Sequence, residues 1–152
     1  MVQAGCGERI FRFAPGSPLR VLEPDDLQEG SGWVSYTLYI VVPAAVTVTV
    51  GRLGTFCFPA GCYLYSGSAR KNLRARVNRH LRRKKRLRWH IDYLLAAPGV
   101  EIVAVLLSHR SECELVARGG GEVVVSGFGA SDCRTGCNSH LRRVGKVAVD
   151  FP

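Results

Sequence analysis

Between residues 33 and 66 the chain is a succession of β-branched and aromatic runs cut by turn signals, and nothing else in it limits the fold as much. WVSYTLYIVV at 33–42 has the composition of a buried strand. In VTVTV at Val46–Val50 the valines fall at every second residue and share a face. GRLG then offers a turn and TFCF a return strand, which makes a hairpin. PAG at 59–61 is another turn, and CYLYS at 62–66 a third strand.

Downstream, residues 72–87 are helical in pattern, because Leu73, Val77 and Leu81 recur every four residues as a core-facing stripe. Residues 89–97 predict a short helix stopped at Pro98 and Gly99, and 100–107 an apolar strand. Residues 111–118 predict a helix with Ser111 as its N-cap, ended by the glycines at 119–121. Short strands at 123–125 and 144–149 complete the order. This is an α+β layout: a small, mostly antiparallel sheet, a basic helix after the 62–66 strand, and one or two further helices. Residues 1–32 form an irregular lead-in with one short strand at 10–13, and residues 33–152 a single domain. A length of 152 residues, 47% of them apolar, fits one core.

Charge is distributed very unevenly. Of 21 Lys and Arg residues, 12 lie between residues 30 and 91, where there is no Asp or Glu. That stretch carries +12, and the rest of the chain −3, for a net +9. Eleven of the cations fall in residues 70–88, RKNLRARVNRHLRRKKRLR. Basic runs are often solvated helix faces, but repulsion within this one should cost stability unless a polyanion offsets it. The expected partner is a nucleic acid, contacted through Arg70, Lys71, Arg74, Arg79, Arg82, Arg83, Lys84, Lys85, Arg86 and Arg88. Trp89 abuts the run, a place where a base could stack. The longest apolar stretch, 36–50, is interrupted by Pro43 and threonines, so no membrane helix is expected. Glu8 and Arg9 precede any apolar run, unlike a signal peptide. Six cysteines without a secretory signal predict reduced thiols or metal ligands in a cytoplasmic protein.

In YLYSGS, at residues 63–68, Gly67 permits a tight turn and Ser68 can cap the basic helix that follows. On that helix Arg76 and His80 lie one turn apart beside the apolar stripe, near the strand tyrosines. A lone histidine there would more often pack or cap; an Arg–His pair beside tyrosines points to a site.

These residues resemble the GIY-YIG nuclease superfamily. Thr37-Leu38-Tyr39 stands where that family has Gly-Ile-Tyr, and Tyr65-Ser66-Gly67 where it has Tyr-Ile-Gly. GSARKNLRARVNRHL is similar to its helix, in which an Arg lies four residues before a His. WHIDYL at 89–94 and GFGASDC…C.SHL in the tail are similar to a small branch of GIY-YIG-like proteins of unassigned function. The resemblance covers roughly residues 33–143. It implies a metal-dependent endonuclease that hydrolyses DNA phosphodiesters, with branched DNA or RNA as variants of the substrate. The implied catalytic residues are Tyr39, Tyr65, Arg76, His80 and Glu114. Tyr39 would help activate water, Tyr65 would order the site, and Arg76 would neutralise the phosphate. Glu114 would hold one Mg²⁺ or Mn²⁺, with Glu112 as its competitor. An unperturbed tyrosine titrates near ~10, so Tyr39 would need nearby cations to serve as a base.

The tail holds a second constellation. Cys133, Cys137 and His140 place two thiols and an imidazole within eight residues. Cys113 is the candidate fourth ligand, and His90 or Asp92 its alternatives. Soft donors of this kind suit zinc in a tetrahedral Cys3His site. The competing reading has two free thiols, with Asp132 and His140 serving the nuclease-like site. Three functions are therefore open: a GIY-YIG-like endonuclease, a nucleic-acid-binding module of the same fold without activity, and a zinc-stabilised interaction domain.

Overall fold

A computed structural model describes residues 8–14, 21–24, 32–69 and 71–145. The elements run β1 (Glu8–Arg12), β2 (Ser35–Val42), β3 (Val46–Val50), β4 (Gly54–Phe58), β5 (Gly61–Ser68), α1 (Leu73–Leu81), α2 (His90–Leu95), β6 (Glu101–Ser108), α3 (Glu112–Gly119), β7 (Glu122–Val123) and β8 (Leu141–Gly145). Six strands form one sheet in the order β1-β6-β2-β5-β8-β7, and every pairing in it is antiparallel. Among the described residues three helices accompany this sheet, and the fold is α+β, as expected.

The β3–β4 hairpin stands apart as a two-stranded sheet. Its valines face inward, and on the exposed side Thr49 and Thr55 join hydroxyls at 2.8 Å. The lead-in contributes to the sheet, since β1 pairs with β6. Leu22 is also buried. Its N–H donates to Asn78 Oδ1 at 2.6 Å and its carbonyl accepts from Asn78 Nδ2 at 2.9 Å.

Strand alternation divides the side chains between two faces. Tyr36, Leu38 and Ile40 of β2 join Tyr63 and Tyr65 of β5 on one face. Leu73, Val77 and Leu81 of α1 and Ile91, Leu94 and Leu95 of α2 pack there. Tyr39, Leu64, Ala104 and Leu106 point the other way, against Leu115 of α3. Each fully buried aliphatic side chain contributes about 1.5–3 kcal/mol.

Several expected boundaries move. Gly67 lies inside β5, whose pairing with β2 continues to Ser35↔Ser68. Ser68 therefore does not cap α1; the cap is Asn72, in the left-handed conformation with φ 56°. The basic helix stops at Leu81 instead of continuing to residue 87. The next stripe position holds Lys85, whose ammonium cannot enter the core and turns back instead. Its Nζ donates to the carbonyls of Arg79 at 3.1 Å and His80 at 2.7 Å, satisfying the helix C-terminus. Burial lowers that ammonium to about 8. The strand expected at 123–125 is only Glu122–Val123. The last strand begins earlier than expected, at Leu141, and residues 146–149 lie outside the described residues.

Candidate functional site

Where β2 and β5 meet α1 and α2, the sheet opens into a cleft of about 440 Å³. Tyr36, Tyr65, Gly67 and Ser68 line its floor, with Arg76, Arg88, Trp89 and His90 along the helical side. Glu112, Gly129, Ser131, Asp132, Cys133 and His140 form the opposite side.

The helical side rests on one buried ion pair. The Asp92 carboxylate, fully buried, receives Arg79 Nη1 and Nη2 at 2.9 Å each, Arg88 N at 2.9 Å and Trp89 N at 3.0 Å. Burial pushes the Asp92 carboxyl up, but the Arg79 guanidinium and the two backbone N–H groups outweigh it and hold it below the usual range. Arg79 also covers Trp89, its guanidinium 4.2 Å from a ring centroid, and Arg76 stands 5.1 Å from the same residue. Arg76 Nη1 donates to Ser68 O at 2.9 Å.

Behind the floor, Tyr36 Oη meets His80 Nε2 at 2.7 Å. Burial, aided by the Lys85 charge, lowers His80 to about 3, so the imidazole is neutral at physiological pH. Its Nδ1 has no partner among the described residues. An orphaned lone pair costs less than an orphaned N–H. This favours the tautomer in which Nε2–H donates to Tyr36, leaving the phenol proton for another acceptor. Burial raises both Tyr36 and Tyr65 well above 10, and the two phenols stay protonated. Two glycines make room for them. A Cβ on Gly67 would stand 2.5 Å from Tyr36 Oη, and one on Gly129, at φ +65°, 2.7 Å from Tyr65 Cε2.

The opposite side brings the tail's soft donors together. The Sγ atoms of Cys113, Cys133 and Cys137 and a ring nitrogen of His140 all lie within 4.8 Å of one another. Thr135 Oγ1 sits against the three sulfurs at 2.8, 3.3 and 3.5 Å. Hydrogen bonds from the Thr135 hydroxyl and from backbone N–H groups lower the Cys133 thiol to about 5. The set is a Cys3His cluster able to hold a metal ion, made of the four residues expected from the sequence.

The other expected site residues divide. Tyr65 and Arg76 line the cleft, and His80 lies behind it. Tyr39 does not reach it. The register pairs Tyr39 with Leu64 and Leu38 with Tyr65, so the two tyrosines take opposite faces. Tyr39 borders a separate hollow of about 190 Å³ with Glu8, Leu115 and Arg118, and burial raises it to about 12. Tyr36, three residues earlier, holds the place expected of Tyr39. Similarly, Glu112 lines the cleft while Glu114 is exposed beside Ser111 and Arg110. Two residues along a helix turn a side chain about 200°, so only one of the pair can face inward. Ser111 caps α3 as expected, its Oγ accepting from Glu114 N at 3.2 Å.

Of the expected nucleic-acid contacts, Lys71, Arg74, Arg82, Arg83, Lys84, Arg86 and Arg88 are exposed. Arg79 and Lys85 are not surface contacts, because Asp92 and the end of α1 hold them. Arg70 lies outside the described residues. Among the alternative ligands, Asp92 is committed to Arg79. His90 Nδ1 accepts the Gly129 N–H at 2.9 Å, and Asp132 borders the cleft.

A family model, Domain of unknown function DUF123, matches residues 35–150. The chain belongs to this family. The DUF123 match includes every residue that lines the cleft and all four of the Cys3His cluster. No curated protein and no solved structure matches the chain. Among the described residues of this DUF123 chain, no helix is long and apolar enough to cross a membrane.

Proposed function

We propose that the cleft binds a phosphodiester of DNA and hydrolyses it as a metal-dependent endonuclease of the GIY-YIG kind, with Tyr36, Tyr65, Arg76 and Glu112 as its working groups. The observation that carries the reading is their convergence on one cleft beside a row of exposed cations. Arg76, steadied by Ser68 O and Trp89, offers a guanidinium to the phosphate oxygens. Tyr36 and Tyr65, being protonated, donate hydrogen bonds to a phosphate oxygen or orient a water. With raised pKa values they do not act as bases. Glu112, with Asp132 nearby, supplies hard oxygen donors for one Mg²⁺ or Mn²⁺, an ion that would polarise the phosphoryl group and lower the pKa of a bound water. Lys71, Arg74, Arg82, Arg83, Lys84, Arg86 and Arg88 would hold the backbone on either side. If about six of them meet phosphates, the log–log salt slope for duplex binding is about −5.

The protonated tyrosines favour a second reading, a binding module that grips nucleic acid without cutting it. Nicking of supercoiled, duplex and branched DNA with Mg²⁺ or Mn²⁺ separates the two. Cleavage is expected from the wild type and from Glu114→Gln, with a loss of about 10²–10³-fold in Arg76→Ala and in Glu112→Gln. Salt-sensitive binding without any cleavage would leave the module reading. The absence of both binding and cleavage would sink the two together.

A further inference from the structure

The Cys3His cluster has a geometry independent of any nucleic-acid chemistry. A tetrahedral zinc, with bonds of about 2.3 Å to sulfur and 2.0–2.1 Å to nitrogen, keeps its ligand atoms roughly 3.5–3.8 Å apart. Cys113 Sγ lies 3.8 Å from Cys133 Sγ and 3.9 Å from His140 Nε2. The donors come from two places in the chain. Cys113 stands in the first turn of α3, while Cys133, Cys137 and His140 belong to a segment, 124–140, that has neither helix nor strand. The five described cysteines are all free thiols, so nothing covalent joins these pieces.

His140 presents Nε2 to the sulfurs, and its other nitrogen, Nδ1, lies 3.7 Å from Glu112 Oε2. The imidazole is almost wholly buried, which limits its alternatives. Glu112 in turn borders the cleft.

We propose that Cys113, Cys133, Cys137 and His140 hold one zinc ion in a closed tetrahedral site, and that Glu112 orients His140 from behind. The zinc thereby fixes the carboxylate side of the cleft. With four protein ligands no position is left for a water, so the ion is structural. The bound form holds three thiolates and a neutral imidazole, a net charge of −1 on the zinc and its ligands, and any thiol still protonated gives up its proton as the ion binds. The Thr135 hydroxyl, 2.8 Å from Cys113 Sγ and 3.3 Å from Cys133 Sγ, has one proton to share between them and so offsets part of that charge. The 3.7 Å between Glu112 Oε2 and Nδ1 is longer than a hydrogen bond, and closing it as the ion binds would fix the histidine tautomer and raise its basicity toward the metal. Calling Glu112 a functional group of the cleft rests on the endonuclease reading; the zinc site does not.

The test uses the full chain, reduced and purified without chelator. Elemental analysis is expected to find about one zinc per chain. Cobalt exchanged for zinc should give the intense visible bands of tetrahedral Co²⁺ and a thiolate charge-transfer band in the near ultraviolet. Cys137→Ser should lose most of the metal, while Cys57→Ser, at an exposed cysteine outside the cluster, should keep it. Glu112→Gln should keep the stoichiometry and the cobalt spectrum but bind zinc about 10–100-fold more weakly in competition with a chromophoric chelator. Reduced wild type that takes up no zinc, or a weak octahedral cobalt spectrum, overturns the site. Wild-type affinity in Glu112→Gln overturns the link to the cleft. None of these measurements reads cleavage, so the endonuclease could fail without touching them.

Discussion

On one side of the cleft, Trp89 and Arg76 stand on or beside helices whose inner faces join the main core, and a four-fold hydrogen-bonded Asp92 ties those helices together. On the other side, residues 124–140 pass from β7 to β8 without a helix or strand. That loop buries Val125 and Phe128, the latter with its ring centroid 6.0 Å from Phe58 and 6.3 Å from Tyr65. Most of its other ties are local, His140 N to Phe128 O at 2.9 Å, Gly127 N to Asn138 O at 2.7 Å and Ser139 Oγ to Leu141 O at 2.9 Å, and two reach farther, Gly129 N to His90 Nδ1 at 2.9 Å and Ser66 N to His140 O at 3.1 Å. A wall made of packed elements holds its side chains through area buried. A wall made of loop depends on a few point attachments, and the Cys3His cluster is the densest of these. The comparison places the chain's mechanical reserve on the helical side and its sensitivity on the loop.

The hardest way to break the helical side is to remove Asp92. Asp92→Ala leaves Arg79 largely buried without a counter-charge and strands the Arg88 and Trp89 N–H groups. Removing one partner of such a pair costs about 3–5 kcal/mol. Urea denaturation should find the midpoint shifted accordingly. A loss below about 1 kcal/mol would show that apolar packing alone holds α1 to α2.

A smaller effect probes where the loop leans on the floor. Gly129→Ala meets two costs, a left-handed backbone at φ +65° and a Cβ 2.7 Å from Tyr65 Cε2. Gly67→Ala meets only one, since its backbone is extended within β5, but it pushes on Tyr36 Oη and the 2.7 Å bond to His80. Each should destabilise by about 1–3 kcal/mol, Gly129→Ala the more. Thermal melts of the two variants decide the order. If Gly67→Ala is the worse, the floor is stiffer than the loop that covers it.

This contrast also explains which parts were readable from residues alone. The hairpin, the Ser111 cap and the Cys133, Cys137 and His140 part of the metal set are local: period-two valines, one hydroxyl before a helix, and three soft donors close together in the tail. Each depends on neighbours in sequence. Tyr36 was missed, and Glu112 stood only as the competitor of Glu114, because facing depends on register in a strand and on phase in a helix. Tyr36 and Tyr39 sit three residues apart on one strand, so they take opposite faces, and only the pairing of Leu38 with Tyr65 says which faces the helices. The end of α1 was hidden because no glycine or proline marks it. Lys85 and the Arg79–Asp92 pair stop and anchor the helix from thirteen or fewer residues away, and in the bare sequence both look like surface charge.

Acid should separate the two sides by the smallest margin, through two histidines. His80 belongs wholly to the helical side, neutral and hydrogen-bonded to Tyr36, with burial lowering it to about 3. His90 joins the sides, its Nδ1 accepting the Gly129 N–H, and burial lowers it as well. A histidine depressed in the folded chain takes up its proton first in the unfolded one. Its contribution is therefore complete above the unfolded value near 6.5 and declines as pH falls toward the folded value. For His80 the slope approaches about 1.36 kcal/mol per pH unit below 6.5, or about 2 kcal/mol by pH 5. His90 declines in the same direction, and once protonated its Nδ1 can no longer accept from Gly129. Denaturation series from pH 7 to 5 should then find the pH slope much reduced in His80→Gln and slightly reduced in His90→Gln. The protection of the Gly129 amide, measured against the intrinsic exchange rate at each pH, should fall with acid in the wild type but not in His90→Gln, where the bond is already altered. A slope that persists in His80→Gln would assign the acid sensitivity to the loop side.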